Sequence, residues 1–466
     1  MASHARKPST RAALPRRSTR GPLDAEDDPL SPTSSLASSA VRSPVDIRSH
    51  SPLPPAAITT NTETAPSIAT VTQFDGANDS DQPQDDRDLS FLLESSIYHP
   101  LSQLEIPSPF RRPLPPPLPS TAKLTEAFKQ IDHLLAECDY LQAAHLAGLV
   151  LISGAVAPTD QRSIFRLLAI RYSCLELSGN VALAAQESKA LEDLGSTFYY
   201  SDLPPEAAGD GENAETSGAR SLPKHIVPWH LRIQALRLQS IGFSDPRRGV
   251  SALYDLATEC RDFLASPSLS EAERQLWGTR LEELGIRVVN ALIDMGDLDC
   301  ARRTLNSMKP AENGSVAAWT MRNAILCVRM GLLGEAKKAV DSAHCGDAEK
   351  AILQSLLAVA EGQFDTAIEL LQSPLNTSSN LAALAKQNLA VALLYRSDIR
   401  KAREVLEGLV DEGYSFQTLT INLATIYDLT TDRSRELKLT LADRIAQQQH
   451  EGQGHGRIFT NIDFKL

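Results

Sequence analysis

A five-residue interval, repeated along the chain, most narrows what this sequence can fold into. A turn residue is followed five positions later by a small one at Gly296 and Ala301, Gly331 and Ala336, Gly362 and Ala367, and Ser397 and Ala402. Nearer the front Gly179 and Ala184 repeat it, and Cys138 and Ala143 do so with cysteine at the turn. The turn needs a residue that tolerates unusual backbone angles. The helix after it needs a small side chain where it crosses the helix before. Apolar residues keep helical spacing on both sides: Leu353, Leu356, Leu357 and Ala360 before Gly362, then Ala367, Leu370 and Leu371 after it.

The stretch from Asp347 to Gly413 holds two such units back to back, the second built from Leu389, Ala392, Leu393, a turn at Ser397-Asp398, then Ala402, Val405 and Leu406. The last four turns are 35, 31 and 35 residues apart. That is close to the period of a tetratricopeptide repeat. One unit cannot bury its apolar face alone, so neighbours must stack on it. A generic bundle with glycine at its helix ends explains single gaps but not six of them. The predicted fold class is therefore all-α: a tetratricopeptide-repeat α-solenoid preceded by a long disordered Pro/Ser-rich N-terminal tail.

Composition divides the chain. Of 28 prolines, 19 precede Ser120, while aromatics are only 5% overall. Residues 1–105 read as a disordered tail, too poor in large apolar groups to offset the entropy of ordering. Residues 106–120 read as a polyproline linker. Its PxxP pairs, Pro113/Pro116 and Pro116/Pro119, lack a basic residue at SH3-ligand spacing, which favours a stiff spacer. N-terminal helix pairs are predicted over 121–200, an acidic flexible insertion over 201–224, a C-terminal solenoid with capping helices over 225–450, and a C-terminal tail over 451–466. Within this frame, helices are expected at Leu141–Ile152, Gln161–Leu177, Val181–Leu194 and Ser270–Met295. A turn is expected at Gly242, before the helix start at Asp245-Pro246. A last pair is expected at Leu419–Leu429 and Arg433–Gln448.

Three features of the tail invite separate readings. Arg6, Lys7, Arg11, Arg16, Arg17 and Arg20 make a basic start, read as a solvated tail before a transit or nuclear signal. Ser31, Ser43, Ser51 and Ser108 each precede proline and are candidates for proline-directed kinases. The amphipathic patch from Asp88 to Leu104 is a linear motif that docks on a partner, a segment that folds back on the repeats, or an incidental apolar cluster.

Chemistry is hard to place. A formal charge of −12 argues against non-specific nucleic-acid binding, which needs an extended basic face. Six scattered cysteines (Cys138, Cys174, Cys260, Cys300, Cys327, Cys345) form no CxxC pair and read as reduced core thiols. No run reaches the roughly 18 apolar residues of a membrane helix. Leu146–Ala157, broken by Gly148, Ser153 and Gly154, is the longest. No phosphate-binding, zinc-protease or serine-hydrolase motif is present. The expectation is no enzyme: no catalytic residue, no cofactor, no metal. His133 and His145 share one repeat without partner acids. Asp210, Glu212 and Glu215 miss calcium-loop spacing. Glu282 and Glu283 read as a solvated face. Asn290, Lys338, Asn388 and Arg400 could line a carboxylate-binding groove, but they do not fall at equivalent repeat positions.

Asn388-Leu389-Ala390-Val391-Ala392-Leu393-Leu394-Tyr395 and Asn422-Leu423-Ala424-Thr425-Ile426-Tyr427-Asp428-Leu429 resemble the C-terminal repeats of the trafficking protein particle (TRAPP) complex subunit 12 family. The ending is also similar, with Thr460-Asn461 and a closing Phe464-Lys465-Leu466. The Ser-Pro tail and alanine-rich repeats suggest a fungal member. The resemblance implies a non-catalytic scaffold subunit of a vesicle tethering complex in ER-to-Golgi and Golgi traffic. It implies contact with other TRAPP subunits and, indirectly, a Rab-family GTPase. It also implies a cytoplasmic place at Golgi membranes with no membrane insertion and no nucleic acid. The alternative from the repeats alone is a co-chaperone or peptide-binding adaptor in the cytosol or nucleus.

Overall fold

The computed structural model describes residues 87–104, 106, 108–116, 124–201, 223–267, 269–308, 316–343, 345–372 and 379–450. The expectations for the far N-terminal tail, most of the acidic insertion and the C-terminal tail concern residues outside these. The basic start and Ser31, Ser43 and Ser51 lie outside them too. Among the described residues the chain is all-α, with sixteen α-helices and no strand beyond one isolated bridge.

The helices fall into eight consecutive pairs. They are α1 Leu124–Ala136 with α2 Tyr140–Ile152, α3 Gln161–Leu177 with α4 Val181–Glu187, α5 Trp229–Gly242 with α6 Pro246–Ala265, and α7 Glu271–Asp294 with α8 Leu298–Ser307. Then come α9 Val316–Arg329 with α10 Leu333–Ser342, α11 Asp347–Ala360 with α12 Phe364–Gln372, α13 Ser379–Tyr395 with α14 Ile399–Asp411, and α15 Gln417–Thr430 with α16 Ser434–His450. α11, capped at Gly346, and α7, capped at Ser270, each begin with an acidic first turn, and Ser270 with Glu273 forms a capping box.

Each of the first seven pairs turns on the same junction. The turn residue takes positive φ: Cys138 60°, Gly179 78°, Ser244 54°, Gly296 79°, Gly331 74°, Gly362 77° and Ser397 70°. Its N–H and that of the next residue close back onto the finished helix. At Gly296 the bonds are Gly296 N–H to Ile293 C=O, 3.0 Å, and Asp297 N–H to Leu292 C=O, 2.9 Å. This is the Schellman arrangement, which satisfies carbonyls that a helix end leaves orphaned. The residue after the turn then opens the next helix: the Asp297 carbonyl accepts the Ala301 N–H at 3.0 Å. One residue thus ends one helix while its neighbour starts the next, so the crossing falls at the small residue. Ala143, Ala184, Ala301, Ala336, Ala367 and Ala402 are all 0% exposed.

The expected Gly242 turn is displaced. Gly242 still lies in α5, and Ser244 carries the positive φ, with Gly249 five residues on. The two glycines serve close approach instead. A Cβ on Gly242 would stand 2.5 Å from the Ala185 carbonyl oxygen of α4, and one on Gly249 would stand 2.7 Å from Ser240 Cβ. The last pair lacks the junction: Thr431 is extended at φ −155° and closes α15.

Successive pairs stack. First helices lie against each other at α3 and α5, α7 and α9, α9 and α11, and α11 and α13. Ion pairs also run between neighbouring pairs of helices: Arg166–Asp132 at 3.3 Å, Arg237–Glu176 at 2.7 Å, Arg329–Asp294 at 3.0 Å and Arg396–Asp365 at 3.0 Å. Exposed pairs of this kind add little energy each. They fix register along the turn edge more than they hold the stack together. The insertion's feet are pinned, with Tyr200 bridged antiparallel to His225 and Ser201 N–H bonded to Lys224 C=O at 2.8 Å.

The patch from 88 to 104 folds back on the repeats, which settles its three readings. Leu89 and Leu92 are 0% exposed, and Leu101, Ile106 and Phe110 are also buried. Residues 111–116 continue this strap along α2, where Arg112 pairs with Asp139 at 3.4 Å and His145 is bonded to the Pro115 backbone. The short turn Ser108–Phe110 lies against α16, so the strap joins the first pairs to the last helix. One continuous buried cluster accordingly contains Leu89 to Leu238 residues and Ala358 to Ala446 residues.

Candidate docking surface

The strap is held by a site built from three helices. Arg171 of α3 and Glu187 at the end of α4 are 2% and 0% exposed at their side chains. Arg171 Nε and Nη2 each donate to a Glu187 carboxylate oxygen at 2.6 Å, and Nη1 donates to the Ala144 carbonyl of α2 at 2.8 Å. Two contacts remain, and both go to the strap backbone. Arg171 Nη2 donates to His99 C=O at 3.1 Å, and His99 N–H donates to Glu187 Oε1 at 2.9 Å. A buried pair must have its remaining donors and acceptors met, and here the strap backbone at His99 meets them.

Aromatic groups finish the site. The Arg171 guanidinium sits 5.1 Å from the Tyr98 ring centroid. Burial pushes the Tyr98 phenol well above its ordinary range, and its O–H donates to the Leu92 carbonyl at 2.5 Å. Leu89 N–H donates to Pro158 C=O at 3.0 Å, and Phe91 meets Phe198 edge-on with centroids 6.0 Å apart. Arg87 donates to the backbone carbonyls of Phe198 and Tyr200. At the other end burial lifts the Asp139 carboxyl above the usual range, partly offset by Arg112.

The residues singled out from sequence do not assemble into a reactive centre. His133 is 71% exposed and 3.8 Å from Glu137. His145 is half-buried, its pKa lowered by burial and by the Arg171 charge. Asn290 is bonded to Arg329, and Asn290 and Asn388 lie on first helices while Lys338 and Arg400 lie on second helices. The four therefore do not line one groove. Glu282 is not a solvated face: it is 12% exposed and 3.5 Å from Arg322. Glu283 pairs along its own helix with Arg287. Among the described residues no group of three His, Cys, Asp or Glu could hold a metal, and no helix is long and apolar enough to cross a membrane. The six cysteines form no disulfide among the described residues, and Cys138, Cys174, Cys260 and Cys327 are buried. Arg171 and Glu187 escaped the sequence reading, because sixteen residues separate them and neither matches a motif. The one available signal was an arginine within an otherwise apolar helix face.

No protein-family model matches the chain, and no solved structure does. Two curated proteins match over about half of it. The chain is similar to trafficking protein particle complex subunit 12. It is 23% identical to the mouse protein over 259 residues, 48% of this chain and 31% of that one. It is 24% identical to the human protein over 260 residues, 48% of this chain and 34% of that one. The matched stretch thus spans about a third of the relatives' length.

Proposed function

We infer that this chain is a non-catalytic scaffold subunit of a TRAPP-type tethering complex. The similarity to subunit 12 carries this reading, and the architecture suits it. A stack of helix pairs offers long continuous faces to other proteins. The finer reading follows from the resemblance: other TRAPP subunits dock on the tetratricopeptide-type faces, and the complex serves a Rab-family GTPase in ER-to-Golgi and Golgi traffic. The chain then works in the cytoplasm at the surface of Golgi membranes. A permanent contact of this kind buries on the order of 2,000 Å² in total.

The test is affinity purification of the tagged chain from its own cells, with identification of copurifying chains. Other tethering subunits in stoichiometric amounts support the assignment. Their absence, with the tag accessible, removes it. Imaging the same tagged chain should give Golgi puncta, and nuclear signal would favour a different scaffold. A second reading, a peptide-binding adaptor, is favoured by one observation: a groove on the first two pairs already holds a segment that belongs to none of the helix pairs.

A further inference from the structure

We propose that the groove formed by α2, α3 and α4 is a peptide-binding site, occupied in this structure by the chain's own residues 87–104. It takes from a partner protein a short segment whose leucines, three apart, share one 3-10 turn and are followed by a tyrosine, as in Leu89, Leu92 and Tyr98. The proposal is independent of the tethering assignment.

Three observations carry it. First, the polar part of the site reads backbone before side chain. His99 offers its N–H to Glu187 and its C=O to Arg171 at 2.9 and 3.1 Å, while its 45% exposed ring stands farther off, with Nδ1 3.6 Å from Glu187 Oε1. Any extended residue can supply those two groups. Second, specificity resides in two leucines sunk to 0% exposure and in Tyr98, whose ring meets Arg171 and whose hydroxyl folds back onto the Leu92 carbonyl. This is the usual division in peptide recognition, where main-chain bonds give affinity and side-chain pockets give selectivity. Third, the resident segment has little structure of its own. Its only regular element is the four-residue turn Ser90–Leu93, and it has no junction of the kind that locks the helices together. It lies on the helices as a ligand does.

The groove is also shaped in advance. Gly148 leaves room for the guanidinium, and the Ala144 carbonyl and Glu187 hold it on three sides. Arg171 cannot turn to solvent without abandoning a buried carboxylate, so an empty groove presents two aligned, unsatisfied groups. An incoming backbone meets them at little reorganisation cost.

The experiment uses the full-length chain. Substituting Leu89→Asp and Leu92→Asp together ejects the resident segment. A fluorescent peptide spanning residues 87–104 should then bind the substituted chain about tenfold or more tightly than the unaltered chain, whose groove is filled. The peptide carrying the same two aspartates should not bind, and adding Glu187→Ala to the protein should abolish binding of the normal peptide. A cooperatively melting L89D/L92D chain that shows no preference for the normal peptide overturns the proposal. If that chain does not melt cooperatively, hydrogen exchange on the unaltered protein decides. Leu89 and His99 amides exchanging about tenfold or more faster than those of α2 and α3 support a detachable segment. Protection equal to those helices shows a fixed part of the core and overturns it.

Discussion

Gly148 lies directly beneath Arg171: a Cβ added to the glycine would stand 2.3 Å from Nη1 and 3.0 Å from Cζ. The end of an arginine is often free to move aside, but this one is bonded to Ala144, His99 and both oxygens of Glu187. Gly148→Ala should therefore lower stability by about 1–3 kcal/mol through overpacking. That outcome runs against the roughly 1 kcal/mol that alanine gains over glycine within a helix. Urea denaturation decides, and a stability equal to or above the unaltered chain would mean that Arg171 has an alternative resting place.

The Arg171–Glu187 pair gives a sharper expectation. Glu187→Ala leaves a buried guanidinium without its counter-charge, a loss of about 3–5 kcal/mol. Replacing both residues by leucine removes the unpaired charge and should cost less than Glu187→Ala alone. A double variant worse than the single one would show that the strap contacts of the pair outweigh the burial of its charge.

At the junctions, backbone and packing separate cleanly. A Cβ on Gly362 meets nothing within 4 Å, yet its φ is +77°. Gly362→Val should cost about 1–2 kcal/mol through backbone strain alone. Ala367 has ordinary helical geometry and 0% exposure. Ala367→Leu should cost about 1–3 kcal/mol through packing alone, as should Ala402→Leu. Thermal melts of the three chains test both causes, and unchanged melting in the two alanine variants would mean the crossings lie elsewhere.

His225 sets an acid limit. Its Nε2–H donates to Leu194 C=O at 2.9 Å, and Nδ1 accepts the Val227 N–H at 3.0 Å, so the neutral ring is already fully used. Burial, reinforced by the Arg232 charge, pushes its pKa down to about 4. The unfolded chain protonates this residue near pH 6.5. Between about pH 6.5 and 4 the unfolded chain therefore binds the extra proton, and stability falls as pH falls through that window. The full loss is on the order of 3 kcal/mol, complete once pH passes below the folded pKa. Denaturation midpoints across this range should slope less in a His225→Phe chain, and parallel slopes would assign the acid loss to other groups.

Phe110 ties the strap to the C-terminal end of the stack, since its turn lies against α16. Phe110→Asp should raise amide exchange in α16 while leaving α9 and α10 unchanged. Uniform exchange across the chain would mean that the two ends are independent.

Much of this architecture was written in the spacing of turn and small residues. Six junctions were legible because each used glycine, serine or cysteine followed by alanine. The seventh hid behind Ser244 and Gly249, where glycine took the small position, and Gly242 drew attention to the wrong turn. Its glycine answers to the Ala185 carbonyl of another helix, a contact that no local pattern encodes. Glu282 was misjudged for the same reason, because its partner Arg322 belongs to the next pair. The strap was visible as an apolar patch, but not its destination.

The amino-acid sequence by itself determined the helix pairs, because their junctions are made by hydrogen bonds and backbone angles within a dozen neighbouring residues. It likewise determined that each pair needs a neighbour, because the apolar faces are too large to leave in water. Only the tertiary structure decided where the 87–116 segment lies and that Arg171, Glu187 and Gly148 form one site. Those hydrogen bonds join residues up to 113 positions apart, and their energy depends on burial that no local window of sequence can record.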